Sequence, residues 1–111
     1  MNQIPRIIDQ LNKPFTTIGI VSDRQRDAVE LLEQIKEHIH HKNFNVNNQT
    51  SITLINGSRV FCQKLDENTF RGMSLNMLVI NEVKPSPKFE KFKENYIPVM
   101  ASLENFKIIV L

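Results

Sequence analysis

Met77-Leu78-Val79-Ile80-Asn81-Glu82 is the stretch whose reading decides the fold. The apolar run Leu78 to Ile80 leads straight into an amide and a carboxylate, the pattern of a fully buried strand that presents two polar side chains at its carboxyl end. In open α/β sheets ligands collect at that end. Upstream lies Thr69-Phe70-Arg71-Gly72-Met73-Ser74. Downstream, beyond a helix-like stretch, Phe106-Lys107-Ile108-Ile109-Val110-Leu111 repeats the buried-strand pattern.

The chain around these segments has 111 residues, enough for one domain, residues 1–111, to bury a core without staples. With 41% hydrophobic and 23% charged residues, its balance excludes a wholly disordered polymer. A net charge of +2 is too small to imply a nucleic-acid partner by itself. Cys62 stands alone, so it has no internal disulfide partner, and its strand-like setting marks it as a buried, inert thiol. No apolar run reaches the length of a bilayer span, and no basic segment followed by an apolar core opens the chain. The expectation is a soluble cytoplasmic protein.

Ile4, Ile7, Ile8 and Leu11 share the apolar face of a helix over residues 3–13, ended by Pro14. Phe15 to Val21 reads as a buried strand. Ser22 and Gln25 have the spacing of a capping box. The helix behind them, striped by Ala28, Leu31, Leu32, Ile35 and Ile39, is expected to run to about His41 with Glu30, Glu33, Lys36 and Glu37 in solvent. His38, His40 and His41 read as a solvated helix end, where the dipole favours cations, and no metal site is expected. Lys42 to Gln49 reads as a polar loop. Asn56-Gly57 joins strands Ser51 to Ile55 and Arg59 to Leu65 in a tight hairpin. A loop over 66–68 and a brief helical turn capped by Thr69 precede the central strand. Lys84 to Pro87 is extended or turn-like. Phe89, Phe92, Tyr96 and Ile97 share one face of a third helix that Pro98 bends or ends.

Helices alternate with buried strands around one hairpin, so the fold class is α/β, a mostly parallel sheet with flanking helices and an inserted β-hairpin. The same order resembles the ATPase domain of viral terminase large subunits, the motors that package DNA into tailed-phage heads. The likeness rests on Ser22 to Ile39, Leu54-Ile55-Asn56-Gly57-Ser58, Phe70-Arg71-Gly72, Leu78 to Glu82 at the place of a Walker B strand, and Lys107 to Val110. It covers residues 15–111.

That resemblance implies a P-loop-ATPase-like core without the P-loop strand, because Gly19, Gly57 and Gly72 are the glycines of the chain and none begins G-x-x-x-x-G-K-[ST]. It implies Glu82 as the catalytic carboxylate that activates water, with Asn81 and Arg71 as cofactor contacts. Asn81 departs from the acidic residue the family presents there and supplies no charge for Mg²⁺. Arg71 reads equally as a structural arginine tying the hairpin to the central strand, and Glu82 as an inherited residue at a strand end. The expected role is a terminase-like module that does not hydrolyse ATP alone and acts by protein binding, to a packaging motor subunit, itself or a host protein. The alternative is a part of a split or full terminase ATPase, in which Mg-ATP enters only if another chain supplies the P-loop. DNA is the weaker partner, since Lys84, Lys88, Lys91 and Lys93 are interleaved with Glu90 and Glu94. Loss of an internal P-loop strand leaves two outcomes: the sheet closes differently, or a partner fills a gap.

Overall fold

The structure, a computed structural model, describes residues 3–66, 68–101 and 106–111, without the side chains of 99–101. Glu67, part of the expected loop, lies outside them. The elements are α1 (Ile4–Leu11), β1 (Thr17–Ser22), α2 (Gln25–Lys36), a 3-10 turn (His41–Asn43), β2 (Phe44–Asn47), β3 (Ser51–Leu54), β4 (Arg59–Lys64), β5 (Met77–Ile80), α3 (Pro87–Ala101) and β6 (Lys107–Val110). They form a six-stranded mixed sheet in the order β2-β3-β4-β1-β5-β6. β4, β1, β5 and β6 run parallel, while β2 and β3 are antiparallel at one side.

The sheet is closed around its middle. β1 is buried along its whole length between β4 and β5, and β5 is buried at all four positions, as a central parallel strand without alternation requires. No gap separates these strands. The free edges are β2 and β6.

Two cores follow from the pleat. Ile18, Ile20, Val60, Cys62, Met77, Val79 and Ile109 face α1 and α2, meeting Ile7, Leu11, Leu32 and Ile35. Val21, Leu78 and Ile80 point the other way, onto Phe70, Leu75, Phe92 and Tyr96. Gly19 belongs to this second face, where its hydrogen lets Phe70 and Leu75 lie against the strand: a Cβ would stand 2.6 Å from Leu75 Cδ1 and 2.9 Å from the Phe70 ring. Phe70 itself has φ +60°. Residues 68–76 thus serve as the lid of this face, pinned by Tyr96 Oη donating to the Met73 carbonyl at 2.7 Å.

Several expectations are corrected. Ser22 and Gln25 form no capping box; α2 starts after an extended Arg24 with no side-chain cap, and Ser22 is the buried last residue of β1. α2 stops at Lys36, after which His38 and Ile39 amides bond to Ile35 and Lys36 carbonyls in tighter turns. Part of the expected polar loop is strand β2, because Phe44 packs against the first core and the chain there pairs with β3. Phe15 is not in a strand: at φ +57° and 80% exposure it turns out of the sheet and lays its ring over Gly57. The hairpin turn is one residue longer than a two-residue turn. Gly57 N bonds to Leu54 O, Leu54 N to Ser58 O, and Gly57 alone takes a positive φ of +88°, as in a three-residue connection with a glycine bulge. Pro98 does not end α3, which continues to Ala101.

Candidate functional site

β1 is followed by α2 on one face of the sheet, and its neighbour β5 by α3 on the other. Between two such strands the connections diverge and leave a crevice at their carboxyl ends, the usual ligand position of open α/β sheets. A cleft of about 280 Å³ opens there, lined by Gln3 and Ile4 of the α1 entry, Asp27, Glu30, Leu31 and Gln34 of α2, Asn81 and Glu82 after β5, and Leu111 after β6.

Asn81 is built into the wall. Its backbone N–H continues the ladder to Val21 O at 2.9 Å. Its side-chain Nδ2 donates to Ser22 Oγ and to the Asp27 carbonyl, both at 3.2 Å. A carbonyl only accepts, so the amide nitrogen must be the atom facing it. One side chain therefore clasps the ends of β5 and β1 to the first turn of α2.

Glu82 sits one residue further out, exposed, at φ +53°. The left-handed region costs a non-glycine residue about 1 kcal/mol. The turn swings the chain away from the sheet, helped by a long contact of Glu82 N with Leu111 O at 3.5 Å and by Lys84 N donating to Asp23 Oδ2 at 2.8 Å.

The ionisable lining is of one sign. Asp27 accepts from Arg24 Nε at 3.0 Å, and Glu30 is paired with Arg26 Nε at 3.6 Å, while Arg24 and Arg26 stand outside the lining set. Among the described residues no lysine or arginine lines the cleft. Nor does any group of three or more His, Cys, Asp or Glu side chains among them have the arrangement to hold a metal.

Of the expected site residues, Asn81 and Glu82 are brought together in this cleft and Arg71 is not among its lining residues. Arg71 lies on the exposed part of the lid, where Nη1 donates to Asn68 Oδ1 at 3.0 Å and the backbone N–H to Asn68 O, also at 3.0 Å. Its described bonds thus stay within its own loop. Asp27, Glu30 and Gln34 were not singled out from sequence as site residues. Their i, i+3, i+7 spacing beside Leu31 is the signal, a polar strip on the helix flank next to the buried stripe.

The histidines make separate hydrogen bonds, although two of their rings stack. His38 Nδ1 bonds to the Gln34 carbonyl at 3.0 Å, and His40 Nδ1 accepts from Lys42 N at 3.2 Å. The rings of His40 and His41 stack at 4.4 Å. Lys93 pairs with Glu90 at 3.0 Å, and its ammonium lies 4.7 Å from the centre of the Phe89 ring. Burial pushes the Cys62 thiol up to about 11, with Lys36 opposing the rise and Glu33 adding to it. Burial likewise raises Tyr96 to about 12.

No family model and no curated protein matches the chain. No helix among the described residues is long and apolar enough to cross a membrane.

Proposed function

We propose that this chain is a terminase-like binding module, related to the ATPase core of viral DNA-packaging motors, that does not hydrolyse ATP alone and acts by holding a protein partner. The observation that carries the non-hydrolysing part is the lining of the cleft. A polyphosphate needs cations and a cradle of backbone amides at the strand ends. Asp27 and Glu30 are paired with Arg24 and Arg26, which stand outside the lining, and Glu82 adds negative charge, which repels phosphate at short range. Asn81, at the position where the resemblance expects a metal-binding acid, carries no charge, and its Nδ2 is committed to Ser22 and Asp27.

The alternative, one part of a split ATPase, draws support from Glu82, whose exposed carboxylate at the cleft is free of a described salt bridge. Calorimetry with Mg-ATP separates the readings. The purified chain alone is expected to give no binding heat and to add none to that of a packaging motor subunit that carries its own P-loop, whereas mixing chain and subunit without nucleotide gives heat. Nucleotide binding by the chain alone would overturn the reading. ATP hydrolysis that appears only in the mixture and is lost in Glu82→Gln would favour the split enzyme.

A further inference from the structure

The two edges of the sheet are protected to different degrees. β2 carries a register shift between Phe44 and Val46 and two asparagines, Asn45 and Asn47, which roughen it against a further strand. β6 runs in unbroken register with β5 from Lys107 to Val110. Its one charged side chain is turned away from the edge: Lys107 Nζ donates to Gln10 Oε1 of α1 at 3.4 Å. Ile108 and Val110, on the α3 face, are 40% and 69% exposed.

The backbone of β6 fixes what fits beside it. Lys107 N bonds to Asn76 O and Leu111 N to Ile80 O, so odd-numbered residues direct their N–H groups at β5. By the alternation of a strand, the N–H and C=O groups of Ile108 and Val110 point to the open side. An antiparallel copy of the same strand, placed with Ile109 on a two-fold axis, sets Ile108 opposite Val110 of the second copy and Val110 opposite its Ile108. Both pairs fall in the hydrogen-bonded class, and every outward backbone group finds its complement. The same register stacks the exposed Ile108 and Val110 side chains of both copies on one face, where cross-strand aliphatic pairs are favourable.

We infer that β6 is a dimerisation edge: a second copy of this chain docks antiparallel on it, centred on Ile109, and joins two six-stranded sheets into one. The inference rests on the binding-module reading and names a second copy as the partner, although the edge geometry stands without any terminase relationship.

The test uses sedimentation velocity over a concentration series, with hydrogen exchange read at single amides. The edge is short, so the series extends to about 1 mM, as weak interfaces require. A dimer is expected, with the Ile108 and Val110 amides gaining protection as concentration rises while those of Lys107 and Leu111 are protected throughout. Val110→Pro removes an N–H that bonds nothing within the monomer and blocks the edge. It is expected to weaken the dimer about 30-fold or more, two hydrogen bonds being lost across the symmetric pair. Ile108→Lys provides a second variant without a backbone change. Both should keep the wild-type circular dichroism. A chain that stays monomeric to the top of the series overturns the inference, including where a foreign extended peptide takes the edge instead. So does a dimer that persists in a folded Val110→Pro or Ile108→Lys variant. Neither result bears on the ATP calorimetry, which tests the binding-module reading separately.

Discussion

Asn81→Asp puts a carboxylate at the end of β5, and the structure says it should weaken the protein. The amide nitrogen now donates to two oxygens, Ser22 Oγ and the Asp27 carbonyl, both at 3.2 Å. A carboxylate has no proton to give. The Ser22 hydroxyl can rotate and donate to it, but the carbonyl cannot, so one bond becomes an acceptor facing an acceptor. Losing one hydrogen bond costs about 1 kcal/mol, and leaving a half-buried carboxylate poorly satisfied adds about 1–2 kcal/mol. For a domain of this size about 2–3 kcal/mol lowers Tm by roughly 10 °C. Urea unfolding followed by circular dichroism measures the difference from wild type at pH 7 and again near pH 3.5. The neutral acid is a donor and mends the clasp, so the folded state holds the new carboxyl's pKa above its unfolded value of about 3.9. The penalty should therefore be full at pH 7 and shrink as pH falls through the folded pKa. Asn81→Ala, which removes both bonds without adding charge, should show no such recovery. A variant as stable as wild type at pH 7, a pH-independent difference, or a rise in stability on adding Mg²⁺ would refute the clasp.

Two further outcomes follow from the cores. Cys62 should resist alkylation at pH 7, reacting at the rate of unfolding rather than that of a free thiol, since its thiolate is disfavoured by burial. The raised pKa values make the alkaline side the weak one: the Cys62 contribution is fully present below pH 9 and is lost by about 11, and that of Tyr96 is present below 10 and lost by about 12. Unfolding free energy should accordingly fall from about pH 9 upward, and Cys62→Ala should flatten the lower part of that decline. Gly19→Ala should destabilise by about 1–3 kcal/mol, measured by denaturant unfolding, because the new methyl meets Leu75 and Phe70 at 2.6 and 2.9 Å within a buried layer.

Segments whose hydrophobic pattern agrees with their final environment were legible in the sequence. β5 and the buried stripe of α2 read correctly because burial on both faces of a strand, or along one face of a helix, leaves a periodic trace in the residues themselves. The turn at Gly57 was legible in kind but not in length, since Asn-Gly is compatible with both a two-residue turn and a bulged one. The capping box failed because Ser22 had a better use at the end of β1, where Asn81, 59 positions away, supplies its partner. β2 was hidden because edge strands carry little apolar signal, and Phe15 because its ring covers a glycine rather than filling the core. The cleft was half legible. Asn81 and Glu82 stand at a strand end that any parallel sheet makes prominent, whereas Asp27, Glu30 and Gln34 reach it only through the packing of α2 over β1 and β4.

The clasp also bears on what the end of this sheet can do chemically. A carboxylate at the first position has no hydrogen to donate to a helix carbonyl, so a strand end that carries one is tied to the neighbouring helix by other groups. Here the first position is an amide whose hydrogen bonds hold β5, β1 and α2 together, and only the second position, Glu82, remains open to solvent. The clasp engages both Nδ2 hydrogens of Asn81 and leaves Oδ1 as the acceptor of this side chain. With the strand ends given over to cohesion, the partner we propose is left the rest of the sheet. β6 is the edge whose outward backbone groups and half-exposed aliphatic residues are still uncommitted.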